Sequence, residues 1–212
     1  MFDGHFTKRL DPWLDRAGQA LARRGIGANT VTIVGLLLGL AAAIAIVLDA
    51  FAWGFILIGA SRACDGLDGA VARATKKMDL GGFLGIVLDF AFYGLIPFAF
   101  ILADPYENGA AGGLLLLSFY IDGASFLAFA VMAEKRGLAT HERGVKSFYF
   151  NTGLAEATET IAVFLAFCLL PHWFSEIAIG FSLVCFYTAL SRVILARRVF
   201  TSEKHRKRPR PA

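Results

Sequence analysis

Charge is scarce in this chain: only 18% of its 212 residues are Asp, Glu, Lys or Arg, where a soluble domain carries about 25%. What charge there is falls in clusters between long apolar runs, and alternate clusters lack Lys and Arg altogether. With 57% hydrophobic residues and a mean hydropathy of +0.60, the chain is not an ordinary soluble domain. An all-α, polytopic membrane protein is the expected fold class. Cysteine is nearly absent. Cys64, Cys168 and Cys185 lie in apolar runs without paired spacing, which excludes a disulfide framework and leaves packing. No internal repeat, separate soluble domain or cleavable signal sequence is visible, because the N-terminal stretch is charged and amphipathic.

Six spans are expected, at 29–48, 51–72, 80–103, 112–133, 150–171 and 173–196, each near the roughly 20 residues that cross a hydrocarbon core. The second is apolar only from Phe51 to Ala60. Arg62 and a group of aspartates occupy its last turns, which is tolerable where those turns line a polar cavity. All 21 Lys and Arg fall on the side of the N-terminus. The opposite loops hold only Asp49, Asp104, Glu107, His172 and Glu176 as titratable groups. The positive-inside rule therefore sets both termini and the aspartate site in the cytosol of a cell (inner) membrane. The net charge of +4 is read as this topology signal plus attraction to anionic membrane lipids, with no nucleic-acid partner.

Asp11 as N-cap and Pro12 as first helical residue predict a short helix ending at Gly25. Trp13, Leu14, Ala17, Ala20 and Leu21 form its apolar stripe, which suits an amphipathic helix in the membrane interface; docking against a partner is the alternative. The domain plan is 1–28 for this cytosolic segment, 29–199 for the six-helix domain and 200–212 for a basic tail, expected to be disordered. Within the spans, Asp122 with Ser118 and Ser125 forms a stripe for the bundle interior, as a hydrogen-bond network or a substrate cavity. Glu156 and Glu159 open the fifth span, where the helix dipole accounts for them; a role in the cytosolic cavity is the alternative.

The stretch Asp65-Gly66-Leu67-Asp68-Gly69-Ala70-Val71-Ala72-Arg73, followed by Asp89, carries the chemistry. Ionisable groups at membrane depth mark ion or substrate sites. Asp65 and Asp68, at i and i+3, share a helix face. Gly69 leaves room for a close approach, and Arg73, two turns on, offers a fork that matches phosphate. Carboxylates beside such a fork suit a hard divalent cation bridging to a diphosphate.

These residues resemble the CDP-alcohol phosphotransferase family, whose signature reads D-x2-D-G-x2-A-R, seven or eight residues, then G-x3-D-x3-D. Asp65, Asp68, Gly69, Ala72 and Arg73 match the first half, and Gly81 and Asp89 match the second; Gly85 stands where the third aspartate belongs. Seven of the eight positions agree. The segment Ala28-Asn29-Thr30-Val31-Thr32 is similar to the family's lead-in to its first span. The resemblance implies transfer of a phosphatidyl or other substituted phosphoryl group from a CDP-linked lipid donor to an alcohol acceptor, releasing CMP. It implies one or two Mg²⁺ or Mn²⁺ ions on Asp65, Asp68 and Asp89, with Asp89 also the catalytic base. Asp65, Asp68, Gly69, Ala72 and Arg73 would bind the CDP moiety, and a homodimer is implied as well.

Gly85 leaves open an altered metal site, a replaced natural aspartate, or a catalytically weak or silent relative that binds CDP-lipid without turnover. Asp79 is expected on the loop side and not as a substitute. A carboxylate restored at position 85 is expected to strengthen the site, since it lies one turn from Asp89 on the same face. The run from Asp89 to Pro97 looks more like serine- or choline-type members, with glycerol 3-phosphate next. Arg143 and Lys146, in a basic segment before the fifth span, are acceptor-side candidates. Intramembrane prenyltransferases also use aspartates with Mg²⁺ and diphosphate, but need more spans than 212 residues allow. A channel would account for Asp122 but not for Gly69 to Arg73.

Overall fold

The protein's computed structural model describes residues 3–75, 79–137 and 157–201, with side chains from Pro12 onward. Among these residues all regular structure is helical: α1 (Asp3–Arg23), α2 (Ala28–Val47), α3 (Phe51–Ala74), α4 (Asp79–Ala103), α5 (Pro105–Lys135), α6 (Ala157–Leu169) and, after a short 3₁₀ turn at Pro171–Trp173, α7 (Phe174–Thr201). Arg143, Lys146, Glu156 and residues 202–212 of the basic tail lie outside the described residues; Phe200 and Thr201 continue the last helix.

Four segments are long and apolar enough to cross a membrane: α2, α4, α5 and the Pro171–Thr201 segment that contains α7. Most of their residues face outward, as in a protein whose surroundings are apolar on its flanks. Leu37, Ile44, Phe83, Val131 and Leu190 are exposed for this reason. Two expected spans differ. At 24 residues α3 is long enough, but it carries Arg62, Asp65, Asp68 and Arg73. The described part of α6 has 13 residues.

The boundaries shift where capping chemistry outweighs hydropathy. α5 begins at Pro105 rather than 112, because the Asp104 carboxylate accepts from the backbone N–H of Tyr106 (3.2 Å) and Glu107 (3.0 Å), with Pro105 as first helical residue. α1 begins at Asp3, so Pro12 lies inside the helix and Asp11 is not its cap. A proline there removes one backbone hydrogen bond and leaves the rest of the ladder to continue. Gly25 ends the helix as expected, with φ at 77° and the Ile26 N–H returning to the Leu21 carbonyl at 3.1 Å.

α3 is the hub. It packs against α1, α2 and α6, while α4 joins α2 to α5, and α5 pairs with α7. Small residues set the closest approaches. A Cβ built on Gly35 would lie 3.1 Å from the Cys64 Cβ, and the Ser61 hydroxyl donates to the Gly35 carbonyl at 2.7 Å. The end of the bundle away from the aspartates is aromatic. There Phe100 of α4 stacks on Phe51 of α3 (centroids 5.8 Å apart) and on Phe174 of α7 (4.9 Å), and Phe167 of α6 meets Phe174 at 4.6 Å. Such pairs contribute about 0.5–1.5 kcal/mol each beyond their burial. They clamp four helices at one end and leave the other end to chemistry.

Candidate functional site

The open end is where α3 finishes and α4 starts. Asp65 lies nine residues before the end of α3 and Asp89 ten after the start of α4. At ~1.5 Å per residue, both sit about 14 Å below the same mouth. Matching depth brings the two halves of the motif together across a helix pair. Asp65, Asp68, Gly85 and Asp89 line one small cavity of about 20 Å³ with Thr32, Ser61, Arg62 and Phe92, room for about one water. Beside it opens a groove of about 910 Å³ bordered by Asp68, Gly69, Ala72, Arg73, Gly81, Gly82 and Gly85, by Asp79, and by the Gly25–Asn29 turn before α2. That is the size of a small-molecule site. Asp79 opens α4 at its loop end and borders the groove, and it is not among the residues that line the cavity of Asp65, Asp68 and Asp89.

Asp68 has a partner of its own, whereas Asp65 and Asp89 share one. The Asp68 Oδ2 lies 2.6 Å from the Thr32 hydroxyl of α2. That hydroxyl also approaches the Ala28 carbonyl at 3.0 Å, but its single proton serves the shorter, charge-assisted contact. Asp89 accepts from Arg62 at 2.8 Å, and the same guanidinium nitrogen is 3.8 Å from Asp65. Arg62 is the more buried member of both pairs, at 12% side-chain exposure against 35% for Asp89 and 44% for Asp65. Its guanidinium carbon sits 3.8 Å over the Phe92 ring, and its other terminal nitrogen is 3.4 Å from the Ser61 hydroxyl. Position 85 is open, since a Cβ built on Gly85 meets nothing within 4 Å.

The donor set of Asp65 and Asp68, all carboxylate oxygen beside an open groove, fits a hard divalent cation. Asp89, the third expected ligand, lines the same cavity as Asp65 and Asp68. Among the described residues no three His, Cys, Asp or Glu side chains converge as a cage, and Asp89 is engaged by Arg62 instead. Arg73 borders the groove, yet its Nε and Nη2 donate to one oxygen of Asp15 on α1 at 3.2 and 2.7 Å.

The chain is 43% identical over 193 residues to the inner membrane protein YnjF of Escherichia coli K12, covering 91% of this chain and 94% of that protein. It is 30% identical over 192 residues to the archaetidylinositol phosphate synthase of Pyrococcus horikoshii, covering 90% and 91%. This chain belongs to the CDP-alcohol phosphotransferase family. No protein-family model matches it. CDP-alcohol phosphotransferases use divalent metals, and in this member the face of α3 that would meet one also carries Arg62.

Four residues that matter here escaped sequence reasoning. Arg62 stands i−3 to Asp65 and so shares its face; the sequence puts it with the aspartates on turns that line a polar cavity but gives no sign that it pairs with Asp89. Thr32 was noted only as part of a lead-in segment. Asp15 had no local signal, because its partner is 58 residues away. Arg192 falls in the sixth expected span, with no local signal of its partner. It lies in α7, where its Nη1 reaches the Asp122 carboxylate and carbonyl, both at 2.9 Å, and the Ser125 hydroxyl at 2.6 Å. Of the two readings of Asp122, the structure has the hydrogen-bonded network, which ties α5 to α7. Cys168 and Cys185 are buried and Cys64 half-buried, all as free thiols.

Proposed function

We propose that this membrane protein transfers a phosphatidyl or other substituted phosphoryl group from a CDP-linked lipid to an alcohol and releases CMP. The observation that carries this reading is the groove lined by Asp68, Gly69, Ala72 and Arg73, which opens onto the cavity holding Asp65 and Asp89. The matched residues of the motif form one wall, wide enough for a nucleoside diphosphate.

In this reading Gly69 and Ala72 give the CDP moiety a close backbone approach, and Arg73 turns its fork from Asp15 to phosphate. Both members of that pair are 46% exposed, so exchanging the partner costs little. Asp65 and Asp68 would hold Mg²⁺ or Mn²⁺, with Thr32 fixing the Asp68 oxygen. The bound ion supplies charge neutralisation of the diphosphate. Asp89 takes the acceptor's proton, a role that needs hydrogen-bond reach of the hydroxyl.

The acceptor class stays with small polar alcohols of the serine or choline type, followed by glycerol 3-phosphate. The product named for the Pyrococcus relative adds an inositol phosphate to the panel. Arg143 and Lys146 are the proposed partners of an acceptor phosphate. Six crossings with both termini and the groove on the cytosolic side, and a homodimer, complete the proposal.

A second reading is a relative that binds CDP-lipid without turnover. It is favoured by the 2.8 Å pairing of Asp89 with Arg62 and by the missing carboxylate at position 85. Purified protein given CDP-diacylglycerol, Mg²⁺ or Mn²⁺ and each alcohol in turn separates the two. CMP release with one alcohol is the expected result. Saturable binding of the CDP-lipid with no CMP from any alcohol would establish the second reading, and no binding at all would remove both.

A further inference from the structure

Arg62 is an anomaly for a site that handles cations: a fixed positive charge lies among the carboxylates that would ligate them. We propose that the Arg62 guanidinium takes the place of one divalent cation, so that this chain binds a single Mg²⁺ or Mn²⁺ at Asp65 and Asp68 and meets the diphosphate with Arg62 where a second ion would stand. The inference rests on the CDP-linked donor reading above.

Three observations carry it. The guanidinium bridges carboxylates from two helices, at 2.8 Å from Asp89 and 3.8 Å from Asp65, which is the position of a bridging cation. It is held there: the Phe92 face lies beneath it and the Ser61 hydroxyl at its side, and Ser61 is itself anchored on the Gly35 carbonyl. The carboxylate that a second ion would want is absent at Gly85, although space for it exists. A missing acid on α4 and a basic side chain on α3, lining the same cavity, act in one direction. Three carboxylates, one guanidinium and one divalent cation sum to no net charge before the substrate arrives. A second ion would add two positive charges against an arginine that cannot lose its own. The Arg62 Nε is buried without a hydrogen-bond partner among the described residues, so the guanidinium is held mainly through its two terminal nitrogens.

The test counts ions and does not depend on turnover. Mn²⁺ bound to detergent-purified protein saturated with CDP is measured by electron paramagnetic resonance for the wild type, Arg62→Lys, Gly85→Asp and the double variant Arg62→Ala/Gly85→Asp. One ion per chain is expected for the wild type and for Arg62→Lys. Gly85→Asp alone stays at one, because the new carboxylate meets Arg62. The double variant rises to two. Arg62→Ala alone weakens CDP binding about tenfold or more, the loss of a charged hydrogen-bond donor.

Two ions on the wild type, or none, would overturn the proposal; these measurements need no variant to fold. A double variant that keeps its helical circular dichroism and still binds one ion would overturn it too. CMP release from the same preparation decides the transferase reading separately. Turnover with two ions sinks the arginine and spares the enzyme, and one ion without turnover does the reverse.

Discussion

At the scale of single residues, the site is a set of short polar contacts whose partners lie on different helices. Thr32 and Asp68 are 36 positions apart and meet at 2.6 Å. Thr32→Val keeps the shape and removes the donor, leaving the half-buried carboxylate to turn. Metal-dependent CDP affinity should fall about tenfold, the worth of a hydrogen bond to a charged group, with the unfolding midpoint little changed. Calorimetric titration of CDP in Mn²⁺ buffer checks this, and unchanged affinity would show that Thr32 does not orient Asp68. The pair Asp65 and Asp68 was legible in sequence because i, i+3 spacing is a property of one helix. Asp68→Asn should abolish that same metal-dependent binding while the helical content holds. Arg62 as the partner of Asp89 was not legible, since nothing in a linear reading says which faces of α3 and α4 meet.

At the scale of elements, α1 and the α5–α7 pair carry the sharpest expectations. The stripe foreseen on α1 divides in two. Leu14 turns to Gly66 of α3, while Trp13 stays 70% exposed, available to a headgroup layer. The contact surface is centred on Gly18, where an added Cβ would sit 2.7 Å from the Ala70 Cβ and 2.8 Å from its backbone carbon. Backbone cannot give way as a side chain does, so Gly18→Leu should release α1 at a cost of about 1–3 kcal/mol. Limited proteolysis should then cut before Ala28 faster than in the wild type, and equal rates would mean that α1 is not held by this seam. In the other pair, Asp122 and Arg192 are 19% and 14% exposed. Asp122→Ala strands a buried guanidinium and should cost about 3 kcal/mol, while Asp122→Leu/Arg192→Met should recover most of it. Thermal unfolding in detergent measures both. A loss of CMP release by the stable double variant would instead give the pair a part in the substrate cavity.

At the scale of the whole molecule, one end of the bundle is closed by stacked phenylalanines and the other opens into the groove. The positive-inside reading of the sequence proposes the cytosolic side for the mouth. On a background with the three native cysteines replaced, Glu107→Cys should react with an impermeant thiol reagent from outside the cell. His205→Cys should react only after the membrane is opened. Reaction of both from outside would reverse the cytosolic placement of the termini and with it that of the groove.

The sequence by itself determined the all-helical membrane class, the apolar extents of α2 and α4, and the half-motif on α3. These depend on hydropathy and on a 3.6-residue period, both local quantities. Helix ends were legible where the apolar run itself stops, as at Phe51 and Ala103, and at Gly25, whereas α1 passes through Pro12 and α5 starts at Pro105, ahead of its apolar stretch. Only the tertiary structure decided that Arg62 stands between Asp65 and Asp89, that Arg73 rests on Asp15 and that Arg192 belongs to Asp122. Each of these is a choice of partner between helices. Such choices are set by which faces small residues such as Gly18 and Gly35 allow to approach, and by the burial of charge in a bundle where a guanidinium must find an oxygen.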